Sequence, residues 1–294
     1  MSASIVFKPS NEPEVSVIIP SLDGDRGGNV NAMIEALTKQ SFRNLEIILS
    51  VNEYPNGHAR NVGVAATTPT SRYLLFFDDD VSFGDENVVA NMKKALEENP
   101  GFGLVGALIK RPLNQKGFFY TWIEYEGGRL VAKDVSSYTE STMVCHAGLG
   151  ARRAVWEDFG GESSTIPTGT DTDLRLRMRM KGYKVILVPN AVVYHPFPRS
   201  VFDMWRRSWI HGFKHYQFRK VHPNALDEAP RYIGSYGDLL VLFLRWTILF
   251  LLHILFDRGR GFRFTPIMAI DSYIFKMGYI IGWIRAKRQP VLMR

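Results

Sequence analysis

Short apolar runs rich in β-branched residues alternate with helical patterns in the first part of the chain. The strand-length runs are Val15–Pro20, Leu45–Val51, Arg72–Phe77 and Gly103–Ile109. A chain built in this way covers both faces of a mostly parallel sheet with its helices. The alternation therefore predicts an α/β fold with a mostly parallel sheet flanked by helices.

The segments between these runs have helical periodicity. "NVNAMIEALTKQ" places Val30, Met33 and Leu37 on one face, and "DENVVANMKKALEENPG" offers Asp85 as an N-cap before a Pro-Gly stop. The aromatic, turn-rich segment Lys116–Met143 fits a hairpin or a loop equally well.

Three consecutive carboxylates, Asp78, Asp79 and Asp80, follow the third apolar run. Adjacent carboxylates repel one another and are costly to bury, so they require solvent or a cation. Oxygen ligands suit Mg²⁺ and Mn²⁺, and open α/β sheets bind ligands beyond the carboxyl ends of their strands. The cluster is either a divalent-cation site beside a diphosphate or a solvated turn before the next helix.

Four motifs resemble, in their order along the chain, those of family 2 glycosyltransferases with the GT-A fold. They are "VSVIIPSLDG", "GHARNVGVAATTPTSRYLLFFDDDV", "HAGLGARRAVWEDFGG" and "TGTDTDLRLRMRMKGYKVILVPNAVVYH". The resemblance covers about residues 13–198. It implies a GT-A domain, a nucleotide-sugar donor, a divalent cation (Mn²⁺ or Mg²⁺) and transfer with inversion.

The same resemblance implies a role for individual residues. Asp171 stands where the family has the catalytic base, which takes the proton of the acceptor hydroxyl. Asp80 and His195 stand at the positions of metal ligands. The donor-binding positions are Pro20, Ser21, Asp23, Asn52, Arg60, Asp78 and Asp79. Where the family usually has an acidic pair for the nucleotide base, this chain has Asn52 and Glu53, which leaves UDP, GDP and dTDP open.

Each of these residues also has a purely structural interpretation. Asp171 is able to cap the helix that follows it, and Asp173 is able to pair with Arg177 four residues later. His195 ends a predicted strand, where a histidine is often structural. The family's usual Glu before the catalytic Asp is Thr170 here.

Charge is distributed unevenly along the chain. Residues 199–294 carry 16 Lys/Arg against 6 Asp/Glu, a net charge of +10, whereas residues 1–198 carry 20 against 23, a net charge of −3. We therefore predict a catalytic domain over residues 1–198 and membrane-binding helices over residues 199–294. Basic residues beside long apolar runs favour a membrane surface and not a nucleic acid.

Two apolar segments in the basic region are long enough to enter a bilayer. Tyr236–Phe256 contains Arg245, and Pro266–Ile284 contains Asp271 and Lys276. If both crossed the membrane, the arginine-rich connection between them would face outward, against the usual charge bias. We expect helices that lie in or re-enter the cytoplasmic face of the cell membrane, with pairing of subunits in a homo-oligomer as an alternative.

These features together predict a membrane-associated glycosyltransferase. The expected acceptor is a hydroxyl of a membrane-linked saccharide or glycolipid in cell-surface glycan assembly, because an ionised phosphate acceptor needs no base such as Asp171. Two alternatives remain at this point, a polyprenyl-phosphate sugar synthase and a non-catalytic scaffold with a GT-A-like domain.

Overall fold

The computed structural model describes residues 3–121, 134–142, 144–223, 232–256 and 265–288. The chain forms two compact units. Unit 1 comprises Met1–Ile166 and Thr170–Phe197, and unit 2 comprises Pro167–Gly169 and Pro198–Arg294.

Unit 1 contains a nine-stranded sheet and five of the described helices. The strands are β1 (Ala3–Phe7), β2 (Val15–Ser21), β3 (Leu45–Val51), β4 (Tyr73–Phe76), β5 (Ser82–Phe83), β6 (Phe102–Lys110), β7 (Thr139–Glu140), β8 (Leu149–Arg152) and β9 (Lys184–Tyr194). The helices are α1 (Asn29–Thr38), α2 (Asn56–Ala65), α3 (Val88–Glu98), α4 (Arg153–Asp158) and α5 (Thr170–Met180).

The strand order is β1-β3-β2-β4-β8-β6-β9-β5, and β7 pairs with β9 outside this path. The three predicted strands β3, β2 and β4 are parallel neighbours, and β6 is parallel to β9. The remaining pairs are antiparallel, including those that β8 makes with β4 and β6. The α/β class is confirmed, and the sheet is a mixed one.

Both faces of the sheet are buried, which explains why its strands read as continuous apolar runs. Val17 and Ile19 of β2 point into one apolar cluster, while Ile18 between them points into a second cluster with Leu74 and Phe76. The carboxyl ends of β2 and β4 lie side by side, because Ile18 is paired in register with Phe76. The residues that follow these two strands are therefore brought to one edge of the sheet.

The helix after the aspartate cluster begins later than its sequence suggests. Its first residue is Val88 and its N-cap is Asn87, which makes no side-chain cap. Asp85 instead accepts a hydrogen bond of 2.7 Å from the backbone N–H of Asn87 and shapes the turn before the helix. Of the undecided segment Lys116–Met143, the structure describes residues 116–121 and 134–142, and these include strand β7.

Unit 2 contains three long helices, α6 (Val201–Val221), α7 (Tyr236–Phe256) and α8 (Thr265–Arg288). Glycines let α6 and α8 approach closely: a Cβ atom on Gly212 would lie 1.9 Å from the carbonyl oxygen of Phe275, and one on Gly278 would lie 2.5 Å from that of Trp209. A small apolar core forms within this unit. Its buried members are Tyr216, Ile233, Leu242, Trp246, Tyr279, Ile280 and Trp283.

Much of α7 carries apolar side chains that are exposed in this chain. They include Leu240, Val241, Leu244, Ile248, Leu249, Leu251, Leu252 and Leu255. Arg245 is exposed beside them. Among the residues that the structure describes, one helical segment, Ile267–Lys287 of α8, is long and apolar enough to cross a membrane by length and composition.

Candidate active site

The ends of β2 and β4 are joined by a direct hydrogen bond between side chains. Ser21 Oγ donates to Asp79 Oδ2 at 2.7 Å, and it also accepts from the backbone N–H of Gly24 at 3.1 Å. Burial raises the pKa of Asp79 above its ordinary value, although the bond from Ser21 acts in the opposite direction. The structure thus brings together two of the residues that the sequence predicts for donor binding.

The loop after β2 places the positive charge of Arg26 next to the aspartate cluster. Asp23 Oδ1 accepts the backbone N–H groups of Asp25 and Arg26 at 3.0 and 2.8 Å, which lowers the pKa of Asp23. Arg26 then reaches Asp79 Oδ1 at 3.2 Å and Asp80 Oδ2 at 2.7 Å. Asp23, predicted to bind the donor, is here engaged with the backbone of its own loop.

Asp80 also faces the end of strand β9. His195 Nε2 lies 3.3 Å from Asp80 Oδ1, and the backbone N–H of His195 donates to Lys110 at 3.0 Å. Oδ1 of Asp80 is buried and accepts no hydrogen bond from the residues that the structure describes. Asp80 and His195, predicted as metal ligands from positions far apart in the sequence, are therefore neighbours in the fold.

Arg60 lies buried on helix α2 beneath the aspartate cluster. Its Nη2 donates to Asp78 Oδ1 at 2.8 Å, and its Nη1 lies 3.4 Å from Glu162 Oε2. Burial by itself would raise the pKa of Asp78. Electrostatic interactions with Arg60, His146 and His195 outweigh burial and hold that pKa below its ordinary value.

Glu162 is completely buried and contacts two basic side chains, Arg60 and His146. Its Oε1 contacts His146 Nε2, and its Oε2 faces Arg60. Burial would raise the pKa of Glu162, but His146 and Arg60 more than offset it and the pKa lies below its ordinary value. Thr170 donates a further hydrogen bond to this carboxylate. Neither Glu162 nor His146 is among the site residues that the sequence predicts.

Asp171 lies in the first turn of helix α5, one residue after Thr170. Its Oδ2 accepts from Arg175 Nη1 at 3.0 Å, and the backbone N–H of Thr172 donates to the same side chain. Burial would raise the pKa of Asp171, but electrostatic interactions with Arg175 and His146 lower it below its ordinary value. The side chain is 25 % exposed, so an ionised carboxylate is accessible from solvent.

Asp173, two residues further along, is a structural residue. It is buried and forms an ion pair of 2.8 Å with Arg177, as the spacing predicts. Arg177 also donates to the carbonyl oxygens of Phe159 and Gly161, which anchors helix α5 to the loop before it. The two aspartates of "TDTD" therefore differ in their surroundings.

Asn52 and Pro20 lie at the same edge of the sheet as Ser21. Asn52 has a left-handed backbone with φ of 58°, and its N–H donates to the carbonyl oxygen of Ser21 at 3.0 Å. Pro20 is paired in register with Ser50 of β3. Glu53, next to Asn52, forms an ion pair of 3.1 Å with His58.

Comparison with known proteins bears on the family of the chain. The sequence description of glycosyl transferase family group 2 matches residues 73–284, well over half of the chain. The chain belongs to glycosyl transferase family group 2. This confirms the family that the motifs predict and makes the chain a family 2 glycosyltransferase.

Individual relatives of this glycosyltransferase are distant. An uncharacterized glycosyltransferase of Haemophilus influenzae is 28% identical over 127 residues, which are 36% of this chain and 42% of that protein. The chain thus spans less than half the length of this curated relative.

Solved structures resemble the family 2 glycosyltransferase over most of its length. The mannosyltransferase PcManGT of Pyrobaculum calidifontis, in complex with GDP-Man and Mn²⁺, has a TM-score of 0.55 and 14% identity, covering 96% of this chain and 89% of its own. Residues 1–349 of TarS from S. aureus give a TM-score of 0.47 and 13% identity, covering 96% and 93%. The first similarity confirms the GT-A fold.

The donor set at Asp80 fits the divalent cation that the family implies. In the part of the chain that the structure describes, no group of three or more His, Cys, Asp and Glu side chains is arranged to hold a metal ion. Mg²⁺ and Mn²⁺ sites commonly use few protein ligands, together with phosphate oxygens and water. Asp80 and His195 supply a carboxylate and an imidazole, and no described residue donates a hydrogen bond to the buried Asp80 Oδ1.

Three residues of this site lay outside the sequence prediction, namely Arg26, His146 and Glu162. The glycine-rich loop "DGDRGG" contains one basic residue, Arg26. This loop and the acidic cluster both follow predicted strands, so the complementary charge was an available signal for Arg26. Glu162 follows two glycines in "FGGESS", where neither periodicity nor spacing distinguishes it from a surface residue.

Proposed function

We propose that this glycosyltransferase moves a sugar from a nucleotide-sugar donor to a hydroxyl group of a membrane-linked acceptor, with inversion and with a divalent cation. The observation that supports this proposal most directly is the environment of Asp171. This residue is an accessible, ionised carboxylate in the same charge network as the strand-end aspartates, because Arg60 and His146 affect the pKa values of both Asp78 and Asp171.

The proposed reaction is a single displacement. The carboxylate of Asp171 takes the proton from the acceptor hydroxyl as its oxygen bonds to the anomeric carbon of the sugar. The bond between that carbon and the diphosphate oxygen breaks, and the nucleoside diphosphate leaves with the electron pair. Attack from the side opposite the leaving group inverts the anomeric centre. The lowered pKa of Asp171 keeps this group ionised at neutral pH.

Asp80 and His195 are the proposed ligands of the divalent cation, Mn²⁺ or Mg²⁺. When bound, the cation would stabilise the negative charge that the leaving diphosphate gains. The complex of the structurally similar mannosyltransferase with GDP-Man and Mn²⁺ supports both the donor class and the cation. Arg60, which holds Asp78, is proposed to bind the donor nucleotide together with Ser21, Asn52 and the remaining predicted donor-binding positions.

The features of unit 2 support a role in membrane binding. Helix α7 presents apolar side chains such as Leu244, Ile248 and Leu252 to solvent, an unusual exposure unless lipid covers them. Residues 199–294 also carry the net charge of +10, which favours anionic lipids. We propose that residues 199–294 bind the cytoplasmic face of the cell membrane without crossing it, and that residues 1–198 act on a lipid-linked acceptor there.

The first experiment is donor turnover by detergent-purified full-length protein. UDP-, GDP- and dTDP-sugars are supplied with a lipid extract and with Mn²⁺, Mg²⁺ or EDTA, and release of the nucleoside diphosphate is measured. We expect one nucleotide to be used, only with the cation. No turnover and no cation-dependent nucleotide binding would favour the non-catalytic scaffold.

Two variants identify the chemistry of the acceptor. Asp171→Asn should lower turnover by about 10²- to 10⁴-fold if a hydroxyl is deprotonated. Asp158→Asn removes an exposed carboxylate that pairs with Lys181 in the same unit and should leave turnover unchanged. Near-normal turnover of Asp171→Asn would identify an already ionised acceptor, as in a polyprenyl-phosphate sugar synthase.

A further inference from the structure

Arg26 occupies the position where the aspartate cluster needs a positive charge. Its two terminal nitrogens bind separate carboxylates, Asp79 at 3.2 Å and Asp80 at 2.7 Å. The side chains of Asp79 and Asp80 are 8% and 15% exposed, whereas that of Arg26 is 50% exposed. An exposed guanidinium therefore neutralises two largely buried carboxylates.

The loop that carries Arg26 has an unusual backbone. Arg26 itself has a left-handed conformation with φ of 49°, which is uncommon for a residue with a side chain. Gly24, Gly27 and Gly28 also have positive φ values, and Asp23 holds the loop by accepting two of its backbone N–H groups. The backbone is thus shaped to present Arg26, while its side chain is held at the tip by ion pairs that solvent can reach.

Binding of a cation at Asp80 conflicts with these ion pairs. Asp80 Oδ2 contacts Arg26, and Asp80 Oδ1 faces His195. A divalent cation on this carboxylate would lie next to the guanidinium, and like charges at such short separation repel strongly. Arg26 must then leave the carboxylates or gain an anion of its own. The diphosphate of the donor is such an anion, and guanidinium groups bind phosphate oxygens in pairs.

We propose that Arg26 is a donor-binding residue that exchanges partners. In the free protein it pairs with Asp79 and Asp80 and competes with the divalent cation. When cation and donor bind together, its guanidinium binds the diphosphate. This inference rests on the proposed function, because it requires a nucleoside diphosphate donor and a cation at Asp80. It predicts weak binding of the cation alone and strong mutual reinforcement between cation and nucleotide, since such coupling is reciprocal.

Calorimetric titration of the full-length protein in detergent tests the competition. Mn²⁺ is titrated without nucleotide into wild type, Arg26→Gln, Arg26→Lys and Arg43→Gln. Arg43 is an exposed arginine of the same unit that contacts the carbonyl oxygen of Thr38, so its variant matches the loss of charge. We expect Arg26→Gln to bind Mn²⁺ about 3- to 30-fold more tightly than wild type, since two partly exposed ion pairs no longer compete. The Mn²⁺ affinity of Arg26→Lys should fall between those of wild type and Arg26→Gln, and the affinity of Arg43→Gln should match that of wild type.

Titration of UDP, GDP and dTDP at saturating Mn²⁺ tests the second contact. Arg26→Gln should bind the preferred diphosphate about 10- to 100-fold more weakly, because a charge-assisted pair is lost. Mn²⁺ affinity that stays equal or falls in Arg26→Gln would overturn the inference, and so would unchanged diphosphate affinity. If neither protein binds Mn²⁺ even with a diphosphate, the proposed cation dependence is wrong as well. Binding by wild type without a difference in the variant refutes only the role of Arg26.

Discussion

Oε2 of Glu162 lies 3.4 Å from Nη1 of Arg60, and the two side chains are 0% and 3% exposed. The Glu162 carboxylate, which has no access to solvent, thus lies between Arg60 and His146. Arg60 also binds Asp78 of the aspartate cluster. Removing one member of such a buried pair leaves an uncompensated charge. Glu162 therefore stabilises the fold and positions Arg60, which is proposed to bind the donor.

Glu162→Gln should lower the free energy of unfolding by about 3–5 kcal/mol, the usual cost of breaking a buried ion pair. The measurement is urea unfolding of the full-length protein in detergent. Glu157→Gln removes an exposed carboxylate that pairs with Arg153 and should have little effect. Equal midpoints for Glu162→Gln and wild type would show that the buried pair contributes nothing.

The same pair predicts how stability depends on pH. Burial opposes ionisation of Glu162, but His146 and Arg60 more than offset it, so its pKa is lower in the folded protein than the ordinary 4.5. A group with a lowered pKa contributes stability above its unfolded pKa and loses it as the pH falls through the folded value. The difference in unfolding free energy between wild type and Glu162→Gln should therefore shrink on acidification below 4.5. A difference that grows as the pH falls would contradict this sign.

Arg60→Lys should weaken donor binding although it keeps the positive charge. Arg60 binds Asp78 through Nη2 and faces Glu162 with Nη1, and one ammonium group cannot reproduce this forked geometry. We expect the KM for the nucleotide-sugar to rise about tenfold or more, with a smaller change in kcat, as measured by nucleoside diphosphate release. Lys39→Arg serves as the exchange control, because Lys39 is the C-cap of helix α1 and forms an exposed ion pair with Glu35. Equal KM values for Arg60→Lys and wild type would contradict the prediction.

Membrane binding should depend on the exposed face of helix α7. The double variant Ile248→Glu with Leu252→Glu places two charges four residues apart on this face. Each large apolar side chain moved from water into an apolar phase contributes about 1.5–3 kcal/mol, so vesicle affinity should fall roughly thirtyfold or more. Flotation with vesicles of mixed anionic and zwitterionic phospholipid measures this affinity. Leu113→Glu, at an exposed leucine of unit 1, should float like wild type. Normal flotation of the double variant would place the membrane contact elsewhere.

Gly278→Ala should destabilise unit 2, although alanine in a helix is normally more favourable than glycine by about 1 kcal/mol. A Cβ atom at this position would lie 2.5 Å from the carbonyl oxygen of Trp209, so the two helices must separate. Gly237→Ala is the matched control on helix α7, where the nearest atom to the added Cβ is Ser235 Oγ at 3.6 Å. Thermal unfolding should show a loss of stability for the first variant and none for the second. Stabilisation by Gly278→Ala would mean that the helices do not approach so closely.

The parts of this fold that the sequence predicts are those encoded in local patterns. Strands β2, β3 and β4 are apolar on both faces, and the parallel arrangement then brings Ser21 next to Asp79. The neighbours Asp80 and His195 were predicted only through the family resemblance, because they are 115 positions apart in numbering. Local periodicity has no information on such a separation.

The other features depend on contacts between distant segments. Strand β8, Leu149–Arg152, is only four residues long and includes the small residues Gly150 and Ala151. Its place between β4 and β6 is decided by pairing with these distant strands. Glu162 is buried because a loop after helix α4 is pinned to Asn61, whose side chain exchanges hydrogen bonds with the backbone of Glu162. Arg26 reaches the aspartates through a left-handed backbone that its residue type does not favour.

The position of strand β8 sets the order in which a growing chain can finish its sheet. Strands β4 and β6 are both made before β8, yet each hydrogen-bonds to β8 and not to the other in the strand order. The sheet stays open at its centre until residues up to Arg152 have left the ribosome, and Glu162, Asp171 and His195 emerge later still. A nascent chain therefore carries its aspartate cluster, together with Arg26 and Arg60, before it has the carboxylate proposed to act as base. A translation product that stops short of helix α5 is expected to lack turnover, since the proposed base is delivered only by the last third of unit 1.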